Sequence, residues 1–429
     1  MKNPRYIHIL AVCLMVFTLA CPLTTASAAS NEEEKVYPLP RVYIEDADIR
    51  YVAEYTGVTI RMEDEYGRTV LEDGEAEWRT HGHTTASKPK RPYKIKLSSS
   101  QSLFGMDKTR RYVLLANLFD KSLLRNRLAL ELGQALDIPY TSDSCFVDVY
   151  LNGRYRGNYL MVEAVRVGSG QVNIHPAANE FLLEVVMGKR KSEGVTVKTP
   201  VEKIILEVSG VDSLESEQET FLTEFFEKAE NALVSGQREE IEAYFDIESF
   251  VRTYLLNEFS KNPDTGFASS RFYIKQGKLY AGPPWDFDLA FGEDLNPTSD
   301  KLHWQNFNCP AQTHGWYATS LWWHRLVGFD WFQQRFGELY REMQPTLVNL
   351  YADNELGMNR LDALSAAMEE SISENFKIWP ITNMYSRLER MPASNYPLNV
   401  EYLRGWLQAR NQWILAQLND TGDFIVLRD

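Results

Sequence analysis

The sequence predicts an α+β protein with a β-rich N-terminal part and a mainly helical C-terminal part. Three observations lead there. Residues 41–97 alternate apolar and polar positions between turn signals at Gly57, Gly67 and Gly74, a period-2 pattern that suits half-buried strands. Two β-type runs, 146–151 and 154–163, flank Asn152-Gly153, the preferred type I′ hairpin turn because both residues tolerate positive φ. Residues 217–261 and the chain from about 296 onward are helical in pattern, with the loop 306–315 as an exception.

The elements follow in order. The last strand of the first region is 92–97, with Tyr93, Ile95 and Leu97 on one face and Lys94 and Lys96 on the other. Ser122 is positioned to cap a helix that runs to about Leu136, with Pro139 just beyond its end. The helical stretch 217–261 reads as two helices split near Ser235-Gly236. A second hairpin, 271–274 with 278–281, turns at Gln276-Gly277 and leads into Pro283-Pro284-Trp285-Asp286-Phe287-Asp288. The predicted organisation is a signal segment over 1–28, a linker over 29–40, a β-rich lobe over 41–165 and a mainly helical lobe over 166–429.

Composition narrows the function. A chain of 429 residues with 44% apolar and 12% aromatic residues has the makings of a large core, and disorder is disfavoured. A net charge of −14 argues against nucleic acid or an anionic membrane surface as partner, so an anionic ligand needs a local basic pocket or a bridging metal. Lys2 and Arg5, the apolar run 7–20 and Ala26-Ser27-Ala28 have the three parts of a secretory signal. The expectation is a secreted, extracytoplasmic protein beginning near Ala29; lipid attachment at Cys21 is the weaker reading, since Thr18 stands where a lipobox usually has Leu. No other apolar run is long enough to span a membrane. Cleavage leaves Cys145 and Cys309, and a disulfide between them is allowed outside the cell.

Phosphate-loop, dinucleotide-fold, nucleophile-elbow and zincin motifs are absent. What remains is an order of elements: a strand with Lys94 and Lys96, a helix with Glu131, a hairpin ending at Glu163, long helices, a loop with Asp264, a second hairpin and Asp-Phe-Asp. That is the order of a protein kinase: strand lysine, helix glutamate, hinge, catalytic-loop Asp and metal Asp. Asp286 and Asp288, two residues apart on an extended segment, face one side at roughly 6–7 Å, a placement that suits a divalent cation. Taken singly, the residues also have plain readings: Asp264 as a turn former, the lysines as the wet face of an edge strand, Glu131 as part of a polar stripe.

Several strings resemble the spore coat protein H (CotH) kinase-like family. They are Lys90-Arg91-Pro92-Tyr93-Lys94-Ile95-Lys96-Leu97, Leu103-Phe104-Gly105-Met106, Leu114-Leu115-Ala116-Asn117 and Asp120-Lys121-Ser122-Leu123-Leu124-Arg125-Asn126. Further on stand Val149-Tyr150-Leu151-Asn152-Gly153, then Arg156-Gly157-Asn158-Tyr159-Leu160 with Glu163. The most specific runs over residues 277–292, with Gly282-Pro283-Pro284-Trp285-Asp286-Phe287-Asp288 at its centre. The resemblance implies an atypical, two-lobed kinase-like fold and a secreted kinase that uses ATP with Mg²⁺ or Mn²⁺ to phosphorylate Ser or Thr of a protein. It implies Lys96 as the phosphate lysine with Lys94 beside it, Glu131 as the partner of Lys96, Glu163 at the adenine hinge, Asp264 as the catalytic Asp, and Asp286 with Asp288 on the metal. Two positions depart from the pattern: His81-Gly82-His83 replaces a glycine-rich Arg-Gly-Asn stretch, and Ser269 and Ser270 stand where an Asn for a second metal belongs. Two rival readings stay open, an inactive kinase-like binding protein and a metal-dependent hydrolase built on Asp264, Asp286 and Asp288.

Overall fold

A computed structural model describes residues 39–418, apart from 49–50, 83, 187–193, 267, 294–320, 384–389 and 391. The described residues make one compact unit. The expected signal segment, Cys21, the loop 306–315 and Cys309, and with it the Cys145–Cys309 pairing, lie outside the described residues.

Seven strands form the N-terminal part: β1 (Arg41–Glu45), β2 (Thr56–Glu63), β3 (Thr69–Thr80), β4 (Tyr93–Gln101), β5 (Thr109–Leu115), β6 (Ser144–Leu151) and β7 (Arg154–Glu163). The sequence predicts a two-lobed kinase-like arrangement; these strands instead close into a barrel in the order β1-β2-β3-β4-β5-β7-β6. Closure comes from β1, which pairs parallel with β6 while every other barrel pairing is antiparallel. Alternation decides the two faces of each strand: Trp78, Tyr93, Ile95, Tyr112 and Met161 fill the barrel, all fully buried. Lys94 and Lys96 therefore stand on its outer wall. The β6–β7 turn is as predicted, with φ of 48° at Asn152 and 72° at Gly153.

One helix, α1 (Arg125–Ala135), is inserted between β5 and β6. Leu124 stands at its N-cap position, and the amide of its first residue is taken by Asp120, while Ser122 Oγ accepts only the Leu124 N–H, at 3.3 Å. The Asp120 carboxylate accepts the Arg125 N–H at 2.8 Å and the Ser122 N–H at 2.9 Å, because the turn before the helix brings Asp120 over the first free amides.

The C-terminal part is less purely helical than its sequence suggests. It holds a second sheet of β8 (Phe181–Val186), β9 (Thr196–Lys198), β10 (Ile205–Ser209), β11 (Ala268–Lys275) and β12 (Lys278–Ala281), ordered β12-β11-β8-β10-β9. The stretch read as two helices is three: α2 (Ser216–Ser235), α3 (Arg238–Tyr244) and α4 (Ile247–Ser260). Gly236, at φ 72°, ends α2, and Asp246 caps α4 through the Ser249 N–H at 2.9 Å. Beyond them come α5 (Trp323–Leu326), α6 (Asp330–Glu342), α7 (Gln344–Asn349), α8 (Arg360–Ala367), α9 (Glu369–Ile378) and α10 (Tyr396–Gln417). One continuous apolar core joins α1, the inner face of the second sheet and these helices through residues such as Leu128, Phe250, Phe272, Trp322 and Trp406. No helix among the described residues is long and apolar enough to cross a membrane.

Candidate functional site

The site is built where four segments meet: the start of α1, the loop after α4, the start of β11 and the chain leaving β12. Helix α4 ends at Lys261 in a left-handed conformation (φ 47°), which turns the chain into Asn262-Pro263-Asp264. Asn262 organises this loop. Its Oδ1 accepts the Asp264 N–H at 3.1 Å, and its Nδ2 reaches the Asp286 carbonyl at 3.4 Å. Ser269 Oγ donates to Asp286 Oδ2 at 2.9 Å. Asp264 and Asp286, 22 positions apart in the sequence, are thereby joined through one asparagine.

Asp286 does not lie on an extended strand. Its φ of 67° is left-handed, so the strand alternation that would put Asp286 and Asp288 on one face is broken between them. Asp288 falls in the following turn, closed by the Ala290 N–H on the Phe287 carbonyl at 3.1 Å. Such a backbone conformation costs on the order of 1–3 kcal/mol, and it persists only where its surroundings hold it.

Facing this loop, the outer wall of the barrel carries Arg79 on β3, Lys94 and Lys96 on β4 and Arg111 on β5, with Lys94 opposite Arg79 and Lys96 between Glu77 and Arg111 in register. From the second sheet come Arg271 and Glu184, paired at 3.2 Å, and the Arg271 guanidinium lies 4.9 Å from the centre of the Trp285 ring. His81 meets the same ring edge-on at 6.3 Å. Burial, followed by the nearby Arg79 and Arg271 charges, lowers the Lys94 ammonium to about 8. Among the described residues Lys94 has no hydrogen-bond or ion-pair partner. Buried nitrogens of Arg79 (Nε), Arg111 (Nε), Arg166 (Nε) and Arg271 (Nη1) are likewise without a partner. Buried donors of this kind are costly unless something accepts from them, and an anion is what they fit.

The kinase-type ion pair expected between Lys96 and Glu131 is not made. Lys96 Nζ is bound by the Glu77 carboxylate on the neighbouring strand. Glu131 is held by Arg127 at 2.6 Å and by Arg360 at 2.7 Å. Burial alone would raise its carboxyl; these guanidiniums keep it below the usual range. Glu131 faces the α7–α8 side, because the turn of α1 that looks toward the Asp286 loop is the first one, with Arg125 and Asn126. Glu163 also departs from its expected place. In register opposite Tyr112, it shares the barrel-interior face with Tyr112 rather than the outer wall that bears Lys94. Its Oε2 accepts the Asp143 N–H at 3.2 Å, its Oε1 is buried without a partner, and burial followed by the Asp143 and Asp107 charges pushes the carboxyl up to about 8.

Among the described residues no three His, Cys, Asp or Glu side chains are grouped to cage a metal by themselves. The donors at hand are hard oxygens, chiefly Asp286, with the Asn262 amide and Ser269 hydroxyl beside it. That set fits Mg²⁺ or Mn²⁺ taken with a phosphate ligand, since Mg²⁺ usually needs only one or two carboxylates and completes its shell with phosphate and water.

The family described as CotH kinase protein matches residues 78–414. The chain belongs to the CotH kinase family. No curated protein matches the sequence. The matched span takes in the barrel from the end of β3, the second sheet and every helix except the last residues of α10. Sequence reasoning missed Arg79, Arg111, Arg271 and Asn262 in this CotH-family site. Alternation along β3 and β5 could have flagged the first two; Arg271 and Asn262 carry no local signal.

Proposed function

We propose that this protein is an extracytoplasmic, metal-dependent kinase that transfers the γ-phosphoryl group of ATP to Ser or Thr of a protein. One observation carries the reading: Lys94 and guanidinium nitrogens of Arg79, Arg111 and Arg271 that have no hydrogen-bond partner cluster together, and Arg271 lies over Trp285, the residue before Asp286. Buried donors left without an acceptor are costly, and an anion is what would satisfy them. In this reading Lys94, rather than Lys96, grips the phosphates, while Arg79, Arg111 and Arg271 spread the charge over several oxygens. Asp286 holds Mg²⁺ or Mn²⁺, whose contribution is to neutralise charge on the phosphates. Asp264 sits one asparagine away and accepts the proton of the acceptor hydroxyl, as the catalytic-loop Asp of a kinase does. The signal-like N-terminus supports export.

The inactive binding-protein reading is favoured by one feature, the Ser269 hydroxyl that already occupies Asp286 Oδ2. Calorimetry of ATP with Mg²⁺ or Mn²⁺, paired with phosphate incorporation into a Ser-rich protein, separates the two. The kinase reading expects Asp286→Asn to lose metal-dependent nucleotide binding. It expects Asp264→Asn to keep binding but lose about 10²–10⁴ in transfer rate. Nucleotide binding without transfer by the unmutated protein, or no nucleotide binding under any metal, would select the inactive binding-protein reading.

A further inference from the structure

The left-handed Asp286 needs something to hold it, and the peptide unit that follows it is gripped from both sides. Its carbonyl accepts from Asn262 Nδ2 at 3.4 Å, and its N–H, that of Phe287, donates to Asn126 Oδ1 at 2.8 Å. Asn126 is itself oriented: its Nδ2 donates to Asn117 Oδ1 at 3.0 Å, and Asn117 Nδ2 donates to the Leu123 carbonyl at 3.2 Å. Both asparagines are buried, at 5% and 4% exposure, so water does not compete for these bonds. One residue earlier on the helix, Arg125 Nε donates to the Ala290 carbonyl at 3.0 Å, which ties the far side of the same turn to α1.

We infer that Asn126 is a positioning residue for the metal-binding carboxylate, acting through the Phe287 amide, and that the first turn of α1 sets the aim of Asp286. The helix glutamate Glu131 has no part in this, being committed to Arg127 and Arg360. The chain of bonds runs Leu123 carbonyl, Asn117, Asn126, Phe287 amide. Asn126 fixes which way the acceptor points because its own amide is spent on Asn117. With that acceptor gone, the Asp286 peptide is free to leave the left-handed region, and its carboxylate no longer meets the metal in one orientation. Groups that orient metal ligands in this way typically cost about 10–100-fold in metal affinity or activity when removed.

The inference rests on the metal role proposed for Asp286, so the test carries a readout that does not. Hydrogen exchange of the Phe287 amide, followed in the metal-free protein, reports the bond directly. Asn126→Leu should expose that amide to exchange and raise the Mn²⁺ concentration for half-maximal ATP-dependent transfer by about 10–100-fold, while ATP affinity measured without metal stays as in the unmutated protein. Asn126→Asp keeps an acceptor for Phe287 but loses the donor to Asn117, so it should retain protection and metal dependence only in part, between Asn126→Leu and the unmutated protein. If Asn126→Leu does not fold, Asn117→Ala, which frees the Asn126 amide without removing its acceptor, should give the same changes in weaker form. Phe287 protection unchanged in these variants, or a fall in metal-free ATP affinity equal to the fall in metal dependence, overturns the inference. Lost Phe287 protection together with no metal–ATP binding in the unmutated protein upholds the backbone clamp and overturns the proposed function instead.

Discussion

Two groups of buried or half-buried cations lie close together in this molecule and are treated in opposite ways. Arg125 is fully buried, and its charge is answered: Asp120 pairs with it on one side and Glu293 on the other at 2.8 Å, while Arg390 approaches Glu293 at 3.4 Å. The outer wall of the barrel bears Lys94, Arg79 and Arg111, with Arg271 across from them, and among the described residues only Glu184 and Glu77 reply there, the latter already taken by Lys96. A buried charge that is fully paired holds chain segments in place; one left with spare donors waits for a ligand. The same chain uses arginine as a bolt on one side of the Asp286 loop and, in the function proposed above, as a receptor on the other.

The bolt should show the largest stability effect. Arg125→Met removes the cation between Asp120 and Glu293 and leaves both carboxylates buried, which typically costs about 3–5 kcal/mol. Urea unfolding at neutral pH measures it. A loss below about 1 kcal/mol would mean that the node does not hold the fold, and the contrast with the cleft would collapse.

The receptor should show a smaller effect on stability and a selective one on binding. Lys94→Ala removes a cation with no internal partner, so folding should be little changed, while ATP affinity falls by about ten- to a hundredfold, the usual worth of a hydrogen bond to a charged group. Lys96→Ala, whose ammonium is bound by Glu77, should change affinity by less than about threefold. Because Lys94 loses its proton near pH 8 in the free protein, ATP affinity should also weaken as pH rises through about 8, and Lys94→Arg should flatten that profile. Equal effects from the two lysines would return Lys96 to the role that its place in the sequence suggests.

That reversal marks the limit of what could be read from the sequence. Local patterns were legible: both hairpin turns, at Asn152-Gly153 and Gln276-Gly277, have the positive φ values that their residue types require. The faces of β4 were legible too, since period 2 alone decides that Lys94 and Lys96 share the outer side. Barrel closure was not, because it depends on β1 meeting β6 in parallel, a pairing separated by about a hundred residues and unmarked in either strand. Which lysine is spoken for depends on Glu77, a cross-strand neighbour that only register reveals. Asp286 was found through the family string, but its left-handed backbone was hidden: nothing in Trp285-Asp286-Phe287-Asp288 says that an asparagine 161 positions earlier takes the Phe287 amide. Glu131 and Glu163 were picked from the order of elements, and order does not tell which face of a helix or strand a carboxylate leaves.

Glu163 gives the subtlest test, since it asks whether a third buried charge is held in the opposite state, as a neutral acid. At the end of the barrel it has Asp143 and Asp107 as neighbours, Tyr112 across the ladder, and, among the described residues, no cation bound to it. The surrounding charges extend to Arg127, which acts on Asp143, and the Gln134 amide, which donates to Asp143 at 2.6 Å. With a folded-state value of about 8 against 4.5 for an ordinary glutamate, the folded protein keeps a proton that the unfolded chain releases. Stability from this group is therefore fully present below about 4.5, declines as pH rises, and is lost once pH has passed about 8. Glu163→Gln copies the neutral acid at every pH. At pH 5 the variant should differ from the unmutated protein by less than about 1 kcal/mol. By pH 9 it should be the more stable of the two, and the fall in Tm between pH 6 and pH 9 should be shallower. The decisive measurement is the difference in Tm between the two proteins across that range. A constant difference would mean that Glu163 is ionised throughout, in which case the barrel end belongs with Arg125 among the charges held ionised.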